Sequence, residues 1–140
     1  MFTPSRDEAR SFLFAAWRKQ CDGMPMTPLE DMAAQLIERH PEYHDLLSDP
    51  ERYRDADFQT GGGEVNPFLH LMMHVAIEEQ LSIGQPFGIR EQFARLTRKY
   101  GSEHEAQHAM MECLSEMIRQ AQARNASPDA AVYFSCLERQ

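Results

Sequence analysis

Helix-start punctuation constrains this chain more than any other feature. Thr27-Pro28-Leu29-Glu30 sets a capping threonine before a proline at N1 and a glutamate at N3, the pattern of a capping box. Leu29, Met32, Ala33, Leu36 and Ile37 then recur at helical spacing until Pro41 limits the helix near Arg39 or His40. Asn66-Pro67 opens a second helix, expected to run to about Ile83, before Gly84 and Pro86. Ser102 with Glu105 predicts another capping box and a long helix to about Arg124, and Ser127-Pro128 is expected to start a last one carrying Val132, Tyr133 and Leu137.

The remaining segments read the same way. Residues 5–20 form a first helix with an aromatic-rich core face: Phe12 and Ala16 share a side with Phe2, and Leu13 pairs with Trp17. Gly23 and Pro25 end it. A short helix is expected from Tyr43 to Leu47, and Ile89, Phe93, Leu96 and Tyr100 mark an amphipathic helix stopped by Gly101. Strand-like alternation persists nowhere. The expected fold is all-α, an irregular bundle of five or six helices in one domain over residues 1–140. Residues 48–65 are the least regular stretch. Gly61-Gly62-Gly63 lacks the flanking residues of a phosphate loop and reads as a flexible connection, long enough to cover a site.

Composition narrows the function classes. A chain of 140 residues with 42% hydrophobic content can bury a core without metal or disulfide support. Its net charge of -8 disfavours nucleic acid and anionic lipid as partners. The one dense basic group, Arg95, Arg98 and Lys99, is expected to solvate a helix end. No run approaches 18 apolar residues, so no membrane span is expected. The first residues do not read as a signal peptide. Cys21, Cys113 and Cys136 are scattered, without a C-x-x-C pair, and are expected to be reduced thiols in a cytoplasmic protein. Cys113 and the methionines Met72, Met73, Met110, Met111 and Met117 are expected to fill the core.

The histidines carry the chemistry. All six fall in pairs four residues apart: His40 and His44, His70 and His74, His104 and His108. On a continuous helix such side chains stand one above the other and can converge on one ion. Two pairs continue to a carboxylate four residues on, Glu78 and Glu112, and Glu105-x-x-His108 offers another combination. The 67–83 helix is apolar nearly all round, so His70, His74 and Glu78 form a buried polar stripe that must find partners. A metal satisfies such a stripe, and so does a hydrogen-bond network with a neighbouring helix. Glu112 turns towards solvent, and Pro41 interrupts the first histidine pair. The candidate metal ligands are therefore His70, His74, Glu78, His104, His108 and Glu105. A histidine-rich, thiolate-poor set suits a divalent zinc, iron, manganese or nickel ion.

Several enzyme classes lose their signature here. There is no His-Glu-x-x-His, no Gly-x-Ser-x-Gly elbow and no dinucleotide fingerprint. The second Glu-x-x-His motif of a di-iron bundle is also absent.

His40-Pro41-Glu42-Tyr43-His44, Asn66-Pro67-Phe68-Leu69-His70 with His74, Glu79-Gln80, Gly88-Ile89-Arg90, His104-Glu105-Ala106-Gln107-His108 and Met111-Glu112-Cys113-Leu114 together resemble an uncharacterised bacterial family, the domain of unknown function numbered 1841. The resemblance covers nearly the whole chain and implies no particular activity. The residues leave three readings: a metal-binding helical protein, a non-catalytic interaction or regulatory protein with structural histidine networks, and a metal-dependent hydrolase in which metal-bound water attacks with a glutamate as base. A homodimer is compatible with each.

Overall fold

The computed structural model describes residues 5–58 and 66–140. The triple glycine at 61–63 and Phe2 lie outside them. Among the described residues all regular structure is helical: α1 (Arg6–Asp22), α2 (Pro28–Glu38), a 3-10 turn (Pro41–Tyr43), α3 (His44–Leu47), α4 (Pro50–Tyr53), α5 (Pro67–Ile83), α6 (Ile89–Tyr100), α7 (Glu103–Ala123) and α8 (Ala130–Arg139). Among the described residues eight α-helices stand where five or six were expected. The short helix expected from Tyr43 to Leu47 corresponds to α3, and α4 is an addition, a single turn too short to display a 3.6-residue period. Among the described residues no helix is long and apolar enough to cross a membrane. The chain forms two compact units, Met1–Ala76 and Ile77–Gln140, with α5 continuous through the division.

The N-terminal unit begins with a further capping box. Ser5 Oγ accepts from the Glu8 amide and the Glu8 carboxylate accepts from the Ser5 amide. The expected box at Thr27 forms in the same way with Glu30. Glu30 also accepts from Lys19 of α1 at 2.8 Å, tying the start of α2 to the end of α1. Leu13, Phe14, Ala16 and Trp17 from α1 meet Ala33, Leu36 and Ile37 from α2 in a core completed by Leu47 and by Phe68, Leu71 and Val75 of α5.

Arg10 is buried inside this unit, with 2% of its surface exposed. One guanidinium nitrogen donates to the carbonyls of Tyr53, Arg54 and Ala56 at 3.3, 3.0 and 2.7 Å. The group lies 4.5 Å from the centre of the Phe68 ring, a cation–π contact. Burial, with the nearby Arg6 charge, pushes its pKa below the ordinary arginine value. A guanidinium nevertheless keeps its proton at neutral pH. Arg10 thus closes the carbonyl end of α4, a helix too short to hold itself.

The C-terminal unit is built on α6, α7, α8 and the last turns of α5. Arg90 donates to the Leu81 and Ser82 carbonyls, both at 2.8 Å, and closes the end of α5. Gly84 is required there, since it has a φ of 69° and a Cβ would stand 3.0 Å from the Arg90 Cζ. Tyr133, fully buried, donates to Gln80 at 2.9 Å, and burial pushes its hydroxyl pKa up.

Four expectations are revised in this unit. Cys113 and Cys136, expected as separate thiols, are joined in a disulfide with a Cα–Cα distance of 5.4 Å, because α8 folds back along α7 and brings together residues 23 apart. Cys21, in the N-terminal unit, is a free, exposed cysteine. Helix α8 starts from Asp129, whose side chain accepts the Ala131 amide, rather than from Ser127-Pro128. At α7 Ser102 accepts the Glu105 amide, the forward half of the expected box. The basic group on α6 does more than solvate its own helix: Arg95 donates to the Leu137 carbonyl and Lys99 to that of Gln140, capping the end of α8.

Two outcomes follow from the N-terminal unit. Arg10→Met keeps the apolar stem and removes the donors to three carbonyls. It should lower unfolding free energy by about 2–3 kcal/mol, read from the midpoint of urea denaturation. The Lys19 hydrogen bond, followed by the Thr27 amide, holds the Glu30 carboxyl below its ordinary pKa. A lowered folded-state pKa adds stability above the unfolded value and loses it as pH falls through the folded one. The deficit of Glu30→Gln relative to the parent should therefore be present at pH 7. It should shrink below about pH 4.3, as paired urea melts would show.

Candidate metal centre

Each unit positions its histidines by a different device. In the N-terminal unit, α2 ends at Glu38 with Arg39 as C-cap, and Pro41 starts the 3-10 turn at once. His40 is held between these two events. Its ring turns back along α2, with Nδ1 2.7 Å from the Leu36 carbonyl. A carbonyl only accepts, so Nδ1 carries the proton and Nε2 the lone pair. This is the tautomer that binds a metal through Nε2 while a backbone oxygen orients the ring. His40 is 3% exposed and stacks on Tyr43, with ring centres 5.6 Å apart and planes within 5°. Burial, and to a lesser degree Glu42, pushes the Tyr43 hydroxyl pKa up.

His44 is oriented differently. Its Nε2 donates to the Ile37 carbonyl at 2.8 Å, and its ring stacks on Trp17 at 4.4 Å. The nitrogen that His40 keeps as a lone pair is, in His44, the one bearing the proton. The Pro41 interruption noted in the sequence therefore separates the pair in chemistry as well as in backbone.

Helix α5 supplies the other two imidazoles of this unit. The Asn66 side chain accepts from the Phe68 and Leu69 amides at 3.0 and 3.2 Å, setting the helix start as expected. One and two turns later, His70 and His74 stand edge to face with ring centres 4.9 Å apart. His40 lies against both, 5.2 Å from His70 and 4.9 Å from His74. Three imidazoles from α5 and the end of α2 are thus packed together, and His74 is completely buried.

In the C-terminal unit, Ser102 fixes the first turn of α7, and His104 and His108 follow on one face with ring centres 4.2 Å apart. Both are half-buried. Between them Gln107, buried, donates to Glu78 of α5 at 2.8 Å. Glu105 is exposed.

Among the described residues, His40, His74, His104 and His108 make up a histidine group that could hold a metal ion. Three of them belong to the ligand set read from the sequence. His70 is a neighbour of His40 and His74 but outside this group of four. The group does not include Glu78, which accepts from Gln107, or Glu105, which is exposed. His40 is the member outside the ligand set read from the sequence. The available signal was its place immediately past the last periodic residues of α2 and before a proline, which forces the chain to turn there. The donor set is all imidazole, and chemistry of that kind suits zinc, nickel or iron better than manganese, which prefers oxygen.

His44 gives a test of this division. His44→Phe preserves a ring against Trp17 and removes the bond to Ile37. It should lower stability by about 1 kcal/mol in a urea melt and leave metal uptake unchanged.

Among known proteins, the model of one family, the domain of unknown function DUF1841, matches residues 5–139. No curated protein and no solved structure matches the chain.

Proposed function

We propose that this chain, which belongs to the DUF1841 family, is a metal-binding helical protein whose ion is held by His40, His74, His104 and His108. The observation that carries the reading is that group of four imidazoles. The proton on His40 Nδ1 supports it, since that hydrogen bond presets the ring for ligation through Nε2. Four nitrogen donors complete a tetrahedral shell, and a closed shell belongs to a structural or sensory ion rather than to a catalytic one. Zinc is the ion best matched to that donor set. His70, packed against His40 and His74, supports the ring positions from outside the shell.

The hydrolase reading needs an open coordination position and a carboxylate beside it. Glu78 is bonded to Gln107, and Glu105 is exposed, so the chain offers that chemistry less support. A non-catalytic protein with structural histidines is favoured by one specific observation. His44 spends its Nε2 on a backbone carbonyl and its ring face on an indole.

Elemental analysis of untagged protein, followed by titration of metal into chelator-treated protein, separates these readings. One ion per chain is expected, abolished by His74→Gln or His40→Gln and retained in His44→Phe. Metal at a hundredfold excess over its dissociation constant should stabilise the fold by about 2.7 kcal/mol. Protein that neither retains nor takes up zinc, nickel, iron or manganese would overturn the metal reading and leave the histidines as structural groups.

A further inference from the structure

The N-terminal unit contains a cavity of about 340 Å³ that the histidines do not line. Its wall is apolar where α1 meets α3, with Phe14, Trp17 and Leu47 contributing buried side chains. Two guanidinium groups, Arg18 from α1 and Arg54 just after α4, also line it. Both guanidinium groups are exposed at the mouth of the cavity, and among the described residues neither makes an ion pair. The cationic side chains Arg6, Lys19 and Arg119, by contrast, are each ion-paired. Ser11 adds a hydroxyl, and Asp22 is the one acidic side chain in the lining. Two positive groups and one negative leave the cavity net positive in a chain whose total charge is -8.

We propose that this cavity binds a small organic monoanion, a carboxylate with an apolar aryl or alkyl body. The volume is that of a small-molecule site, and such sites are mainly apolar with a few polar groups that fix orientation. Guanidinium is planar and offers paired donors that match the two oxygens of a carboxylate. The hydrophobic body would lie on Phe14, Trp17 and Leu47. Asp22 opposes a second negative charge, which selects a carboxylate over a dianionic phosphate ester. This site is independent of the metal reading, since its lining includes none of the six histidines.

Trp17 is the only tryptophan of the chain, so its fluorescence reports directly on this wall. The full-length protein, treated with chelator to keep metal from contributing, would be titrated with phenylacetate and octanoate. The neutral 2-phenylethanol and 1-octanol, phenyl phosphate and inorganic phosphate would serve as comparisons. A saturable change in Trp17 emission is expected with the carboxylates. Arg18→Gln and Arg54→Gln should each weaken it about tenfold, the loss of a charge-assisted hydrogen bond. Arg98→Gln, an exposed change on α6, should leave it unaltered. Circular dichroism of each variant would establish that it is folded. Equal response to the neutral alcohols, a preference for phenyl phosphate, no saturation at millimolar carboxylate, or indifference to both arginine changes in folded protein would each overturn the proposal.

Discussion

A buried polar side chain must be given partners, and this requirement shapes the N-terminal unit through Arg10. Removing a guanidinium from water is costly, and only hydrogen bonding and favourable electrostatics offset it. Arg10 meets that demand with three backbone carbonyls at the end of α4 and the face of Phe68. The same contacts give α4, a helix of four residues, a fixed place against α1. The aromatic ring that receives the cation belongs to the first turn of α5, the helix that carries His70 and His74. One charge on α1 thereby fixes both an otherwise marginal helix and the start of the helix on which the candidate site depends.

The histidines obey the same rule by a different means. An imidazole can meet one requirement with a proton and another with a lone pair, so its environment decides its chemistry. His40 and His44 are the same residue type, four positions apart, and both use a carbonyl of α2. His40 bonds through Nδ1 and His44 through Nε2. That single difference gives the two rings opposite proton placements, with His40 stacked on Tyr43 and His44 on Trp17. Identical spacing in a sequence thus does not assign identical roles.

Much of the helical pattern was legible because its causes are local. Thr27, Asn66 and Ser102 act at the backbone amides within three residues, and Gly101 accepts the left-handed conformation that ends α6. Legibility failed where a cause lay far along the chain or an element was too short to show a period. The one-turn α4 falls in the second class. The pairing of Cys113 with Cys136, and the use of Arg95 and Lys99 to close α8, fall in the first. Of the candidate ligands, His74, His104 and His108 could be read from their spacing. Glu78 could not be judged, because its engagement by Gln107 joins positions 29 residues apart.

The sequence by itself determined that this chain is helical, where most of its long helices begin, and that histidine is its concentrated chemical resource. Helix caps and periodicity are properties of neighbouring residues, so they survive without a fold. Tertiary structure alone decided which nitrogen of His40 and of His44 carries the proton, that Glu78 is engaged by Gln107, and which cysteines meet. Those outcomes depend on the atoms that surround a group once water has been excluded, and these come from distant parts of the chain.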